Sequence, residues 1–83
     1  MKKLSPKTIK AYSCTQLAKH LDRLMSKFDK PPYRVDLSYG KIFAYSESDD
    51  SYYFLYSIHD GNKQLIHACI DSAWFNFDAG ATK

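Results

Sequence analysis

The sequence predicts an α+β domain in which one main N-terminal helix, or two, packs on one face of a four-stranded antiparallel β-meander. Apolar residues follow the period of a helix before residue 30 and the period of a strand from Tyr33 onward. The 83 residues suffice for one thin hydrophobic core. We therefore expect a single domain over residues 1–83, with frayed ends at residues 1–4 and 79–83.

The main helix is predicted over residues 14–28. Its apolar side chains recur at helical spacing, at Leu17, Leu21, Leu24, Met25 and Phe28. Ser13 followed by Gln16 is typical of a capping box at a helix start, and Pro31 cannot continue a helix. A serine and a proline at residues 5–6 favour a separate short helical turn upstream.

Two strands are predicted directly after the helix. Residues 33–39 alternate apolar and polar side chains, which is typical of a half-buried strand. Gly40 predicts a tight turn into a second strand at residues 41–46. The acidic segment that follows is predicted to be a loop.

Two further strands are predicted in the second half of the chain. Residues 51–59, dense in tyrosine, form the third strand. Gly61 and Asn62 tolerate the positive φ of a type I′ turn, so they predict a hairpin into a fourth strand at residues 64–70. Residues 74–77 are expected to form a short fifth strand or a closing turn.

Strand alternation separates an aliphatic sheet face, expected beneath the helix, from an aromatic one. The aromatic face is predicted to bind a partner through Phe43, Tyr45, Tyr52, Phe54, Tyr56 and His67. Two alternatives stay open. Residues 74–77 fold over this face, or the assignment of the two faces is inverted.

Basic residues form a second candidate surface on and after the main helix. They are Lys19, Arg23, Lys27, Lys30 and Arg34. Residues 1–41 contain ten Lys or Arg and three Asp, whereas residues 42–83 contain two Lys and six acidic residues. This asymmetry favours contact with phosphate or with an acidic protein. The alternative is an ordinary solvent-exposed helix face.

Residues typical of catalysis or metal binding do not form a recognisable constellation. On a strand, His67 and Cys69 would be about 6.5–7 Å apart, too far for a nucleophile pair. No spacing matches a structural zinc site. We expect no enzymatic activity, no cofactor and no metal. Two cysteines, the lack of a signal peptide and the lack of a long apolar run predict a cytoplasmic protein that does not enter membranes.

These features favour a small, non-enzymatic protein-binding module. In size and type, the chain is similar to small phage or mobile-element proteins, including anti-CRISPR inhibitors. The similarity implies that it sterically blocks a host enzyme or defence complex. Self-association through the aromatic face would give a homodimer. The alternative function is a nucleic-acid-binding domain that uses sheet aromatics and the basic helix.

Overall fold

The computed structural model describes residues 3–78 as three α-helices, three β-strands and one 3₁₀ turn. Residues 1–2 and 79–83, where part of the predicted fraying falls, lie outside the described residues. In chain order, the elements are α1 (Pro6–Ala11), α2 (Cys14–Met25), β1 (Tyr33–Asp36), β2 (Lys41–Ser46), β3 (Ser51–Ser57), the 3₁₀ turn (Asp60–Asn62) and α3 (Lys63–Asp78). The predicted α+β class is confirmed.

Two serine caps divide the N-terminal region into two helices. In α1, the Ser5 hydroxyl accepts a hydrogen bond from the Thr8 amide at 3.2 Å, and proline occupies the first turn. At the start of α2, the Ser13 hydroxyl accepts from the Gln16 amide at 3.2 Å, while the Gln16 side chain accepts from the Ser13 amide at 2.7 Å. This reciprocal pair is the predicted capping box.

The strands form an antiparallel sheet in the order β1-β2-β3. Gly40 has a φ of 65°, which permits the tight turn between β1 and β2. Because β1 ends at Asp36, Leu37 lies in that turn, where it is exposed rather than on the inner sheet face. β3 contains a bulge. Ile42 lies opposite Tyr56 while Phe43 lies opposite Phe54, so Leu55 is the extra residue.

The predicted fourth strand is wrong, because residues 64–70 and 74–77 belong to the single helix α3. A helical stripe of apolar residues explains this outcome: Ile66, Cys69, Ile70, Ala73, Trp74 and Phe77. The segment before it is no hairpin turn. Gly61 and Asn62 instead form the 3₁₀ turn, in which His59 Nδ1 accepts a hydrogen bond from the Gly61 amide at 3.1 Å.

The hydrophobic core lies where α2 and α3 pack together beneath the inner face of the sheet. Its fully buried large side chains are Leu17, Leu21, Leu24, Ile42, Ile66 and Ile70. The predicted stripe of α2 is therefore core. Because α2 and α3 pack on one side of the sheet, no helix within residues 3–78 covers its outer face.

Candidate interaction surface

Four aromatic side chains lie together on the outer face of the sheet, and we call them the aromatic face: Phe43, Tyr45, Tyr52 and Phe54. Phe43 and Phe54 are directly opposite across β2 and β3, with ring centroids 6.1 Å apart at 76°. The opposite pair Tyr45 and Tyr52 has centroids 5.5 Å apart. Edge-to-face and tilted geometries of this kind contribute about 0.5–1.5 kcal/mol per pair beyond area burial.

Two cations from β1 and β2 extend the aromatic face. The Arg34 guanidinium lies 4.6 Å from the Phe43 ring centroid and 6.0 Å from that of Tyr52. Lys41 Nζ lies 5.8 Å from the centroid of Phe54. All three are cation–π contacts, a class of interaction that contributes about 0.5–1 kcal/mol at exposed sites. The surface therefore combines flat apolar area with hydrogen-bond donors.

Hydrogen bonds hold both tyrosines of the aromatic face. The Tyr45 hydroxyl donates to Asp50 Oδ1, and this hydrogen bond raises the pKa of Tyr45. The Tyr52 hydroxyl donates to the Pro31 carbonyl at 2.7 Å. Phe54, by contrast, is 53% exposed. The face is thus ordered at its tyrosine end and open to solvent at Phe54.

The structure does not place two of the six predicted partner-binding residues on this face. The bulge at Leu55 reverses the alternation, so Tyr56 lies on the inner side and packs against the core. His67 lies on α3, where its Nε2 is 3.4 Å from Asp71 Oδ2. Residues 74–77 do not fold over the aromatic face, because they continue α3 and place Trp74 in the core.

The five predicted basic residues are exposed, but they do not form one cluster. Arg23 and Arg34 line a common groove of about 410 Å³ between α2 and β1, which we call the α2–β1 groove. Lys30 lies instead in a neighbouring groove beside Tyr45. Within residues 3–78, none of the five basic residues takes part in an ion pair: Lys19, Arg23, Lys27, Lys30 and Arg34.

The α2–β1 groove was not predicted from the sequence. Tyr52 and Pro31 line it at the aromatic side, so the groove is continuous with the aromatic face through Arg34 and Tyr52. Asp22 is the carboxylate that lines it. The sequence indicated it only by including Arg23 and Arg34 in one set of basic residues. Their position beside the same groove depends on how the chain reverses direction between α2 and β1, which the sequence pattern did not predict.

Both cysteines are free and buried, and their environments favour the protonated thiol. Burial raises the pKa of Cys69 to about 11. Burial also raises the pKa of Cys14, whose Sγ donates to the His59 carbonyl at 3.0 Å. The thiol, unlike the thiolate, is a poor nucleophile and metal ligand. Among the residues that the structure describes, no group of three metal-ligating side chains converges.

Comparisons with protein-family models, curated proteins and solved structures give no significant match. No helix between residues 3 and 78 is long and apolar enough to span a lipid bilayer.

Proposed function

We propose that the chain is a non-enzymatic module that binds another protein through the aromatic face. The observation that carries the proposal is the edge-to-face pair of half-buried Phe43 and exposed Phe54. The pair lies beside Tyr45, Tyr52 and Arg34 on a sheet face that no helix within residues 3–78 covers. Tyrosine and arginine are enriched among the residues that dominate protein–protein affinity. Their ordering before binding lowers the entropy that association costs.

We propose that the module is an inhibitor of the phage or mobile-element type and acts in the cytoplasm. A small rigid face suits steric occlusion of a functional surface on a larger target. The two free, buried thiols suit a reducing compartment. A second copy of the chain is an alternative partner for the same face.

A specific observation favours nucleic acid as the second candidate. Arg34 and Lys41 lie over aromatic rings, and cations interleaved with aromatics are typical of single-strand binding surfaces. However, Arg34 already stacks on Phe43, and the hydroxyls of both tyrosines are engaged by the protein itself. The Arg34 contact covers part of the Phe43 ring and so reduces the ring area left for base stacking, and we therefore place protein binding first.

The test is affinity capture from the source cytoplasm, with Phe54→Ser as the disabling variant. Tyr39→Ser is the matched control, because Tyr39 is 79% exposed but lies in the β1–β2 turn away from the aromatic face. We expect wild type and control to retain the same protein, identified by mass spectrometry. Phe54→Ser should weaken that complex at least about 30-fold, as expected when a dominant contact is lost.

Two outcomes oppose the proposal. Equal capture by Phe54→Ser and wild type would place the interface elsewhere. Capture of nuclease-sensitive material alone would favour the nucleic-acid function. Sedimentation velocity of the purified protein over a concentration series distinguishes self-association from binding to another protein.

A further inference from the structure

β1 is an edge strand whose outward backbone groups can be identified from the register. The Tyr45 amide donates to the Pro32 carbonyl at 3.0 Å, and Tyr33 lies opposite Ala44. Along an antiparallel pair of strands, only every second residue forms backbone hydrogen bonds with the residue opposite. Since Pro32 is bonded to Tyr45, the next bonded residues of β1 are Arg34 and Asp36. The amides and carbonyls of Tyr33 and Val35 therefore point away from the sheet.

The residues that carry these outward groups line the α2–β1 groove. Tyr33 and Val35 both line it, and within residues 3–78 their backbone groups have no hydrogen-bond partner outside the sheet. An open row of amides and carbonyls beside a helix is the arrangement that accepts an added strand in β-augmentation. The edge carries no proline within Tyr33–Asp36, so every residue of β1 retains its amide.

Charge selects the kind of segment that suits the groove. Arg23 and Arg34 both line it, and Asp22 is the one acidic residue among its lining residues. Neither arginine is in an ion pair in the described part of the chain, so both retain donors for a ligand carboxylate. Arg34 is held in place by its stacking on Phe43.

We propose that the α2–β1 groove binds an extended, acidic segment of a partner protein, which adds to β1 as a fourth strand. The segment bonds to the outward groups of Tyr33 and Val35, and an Asp or Glu side chain reaches Arg23 and Arg34. This rests on the proposal that the partner is a protein. A nucleic-acid strand has no alternating amides and carbonyls with which to pair with a strand edge, so the backbone geometry favours a peptide.

The experiment selects ligands from a phage-displayed library of random dodecapeptides, panned on the intact protein. Enriched peptides are synthesised and titrated while amide hydrogen exchange is followed by NMR. We expect acidic, β-forming sequences to be enriched. At saturation, exchange at Tyr33 and Val35 should slow by at least about tenfold. The Arg34 amide, already bonded to β2, serves as the internal reference.

Peptide chemistry tests the strand geometry without altering the protein. N-methylation at alternate peptide positions should abolish binding for one set of amides and leave the other set within about twofold, because only every second amide faces β1. The proposal would be overturned if the effect of N-methylation on binding did not alternate along the peptide. Unchanged amide exchange at Tyr33 and Val35 would also overturn it. Protection of these amides that grows with protein concentration and needs no peptide would show that a second copy occupies the edge.

Protein variants separate this groove from the aromatic face. Arg23→Glu should weaken peptide binding at least about tenfold, whereas Lys7→Glu, an exposed charge reversal on α1, is the matched control and should change it by less than about twofold. Phe54→Ser should also leave peptide binding unchanged. Enriched peptides that depend on Phe54 but not on Arg23 would overturn the groove proposal and support the aromatic face. A library that yields no binder overturns it as well.

Discussion

Ile66→Ala tests whether α3 packs into the hydrophobic core through Ile66. Ile66 is fully buried, and the substitution removes three carbons from the core. At about 0.8 kcal/mol per buried carbon, the transfer contribution is about 2.4 kcal/mol, and the remaining cavity raises the total to about 3–4 kcal/mol. Leu65→Ala is the control. Leu65 is 40% exposed on the outer side of α3, so we expect a cost below about 1 kcal/mol.

Urea unfolding followed by circular dichroism measures the difference. With a slope of about 1 kcal/mol per molar urea for a small domain, Ile66→Ala should lower the midpoint by about 3 M. If the alanine variant does not fold, Ile66→Val serves as a milder truncation, and its free energy of unfolding should be lower by about 0.5–1.5 kcal/mol. Equal midpoints for Ile66→Ala and Leu65→Ala would refute the placement of Ile66 in the hydrophobic core.

Three further predictions concern single side chains. Burial lowers the pKa of His20 below its ordinary 6.5, so the unfolded chain binds a proton more readily than the folded chain does. The free energy of unfolding should therefore fall as the pH drops from about 7.5 to 5.5. His20→Leu should make this fall less steep. If the stability of His20→Leu falls as steeply with pH as that of the wild type, other titrating groups cause the pH dependence. Native protein should react slowly with a thiol reagent and show two free thiols after denaturation, because Cys14 and Cys69 are buried; rapid native reaction would contradict their burial. Ser13→Ala should cost about 1 kcal/mol in thermal or urea unfolding, since it removes the α2 cap, and an unchanged midpoint would show that the cap is dispensable.

Local signals predicted the N-terminal half well. The α2 stripe, the Ser13 cap and the turn at Gly40 depend on residues a few positions apart, and each is found in the structure. The α3 stripe was also present in the sequence at helical spacing. Gly61 and Asn62 were interpreted as a hairpin turn, and that interpretation imposed a two-residue period on a helix.

The candidate surface was predictable only in part, because it depends on register. Phe43, Tyr45, Tyr52 and Phe54 follow simple alternation and lie together on the outer face. Tyr56 does not, because one extra residue in β3 reverses the alternation beyond Leu55. A bulge leaves no strong mark in sequence. The α2–β1 groove depends on contacts between separate elements, which local patterns do not encode.

The bulge at Leu55 lets β3 present aromatic side chains to both sides of the sheet. Before it, Tyr52 and Phe54 face outward, and substitutions there alter the surface without opening a cavity in the core. After it, Tyr56 packs inward and is restricted by the volume around it. Substitutions at Tyr52 and Phe54 can therefore change the outer surface of the sheet while Tyr56 keeps its packing against the core.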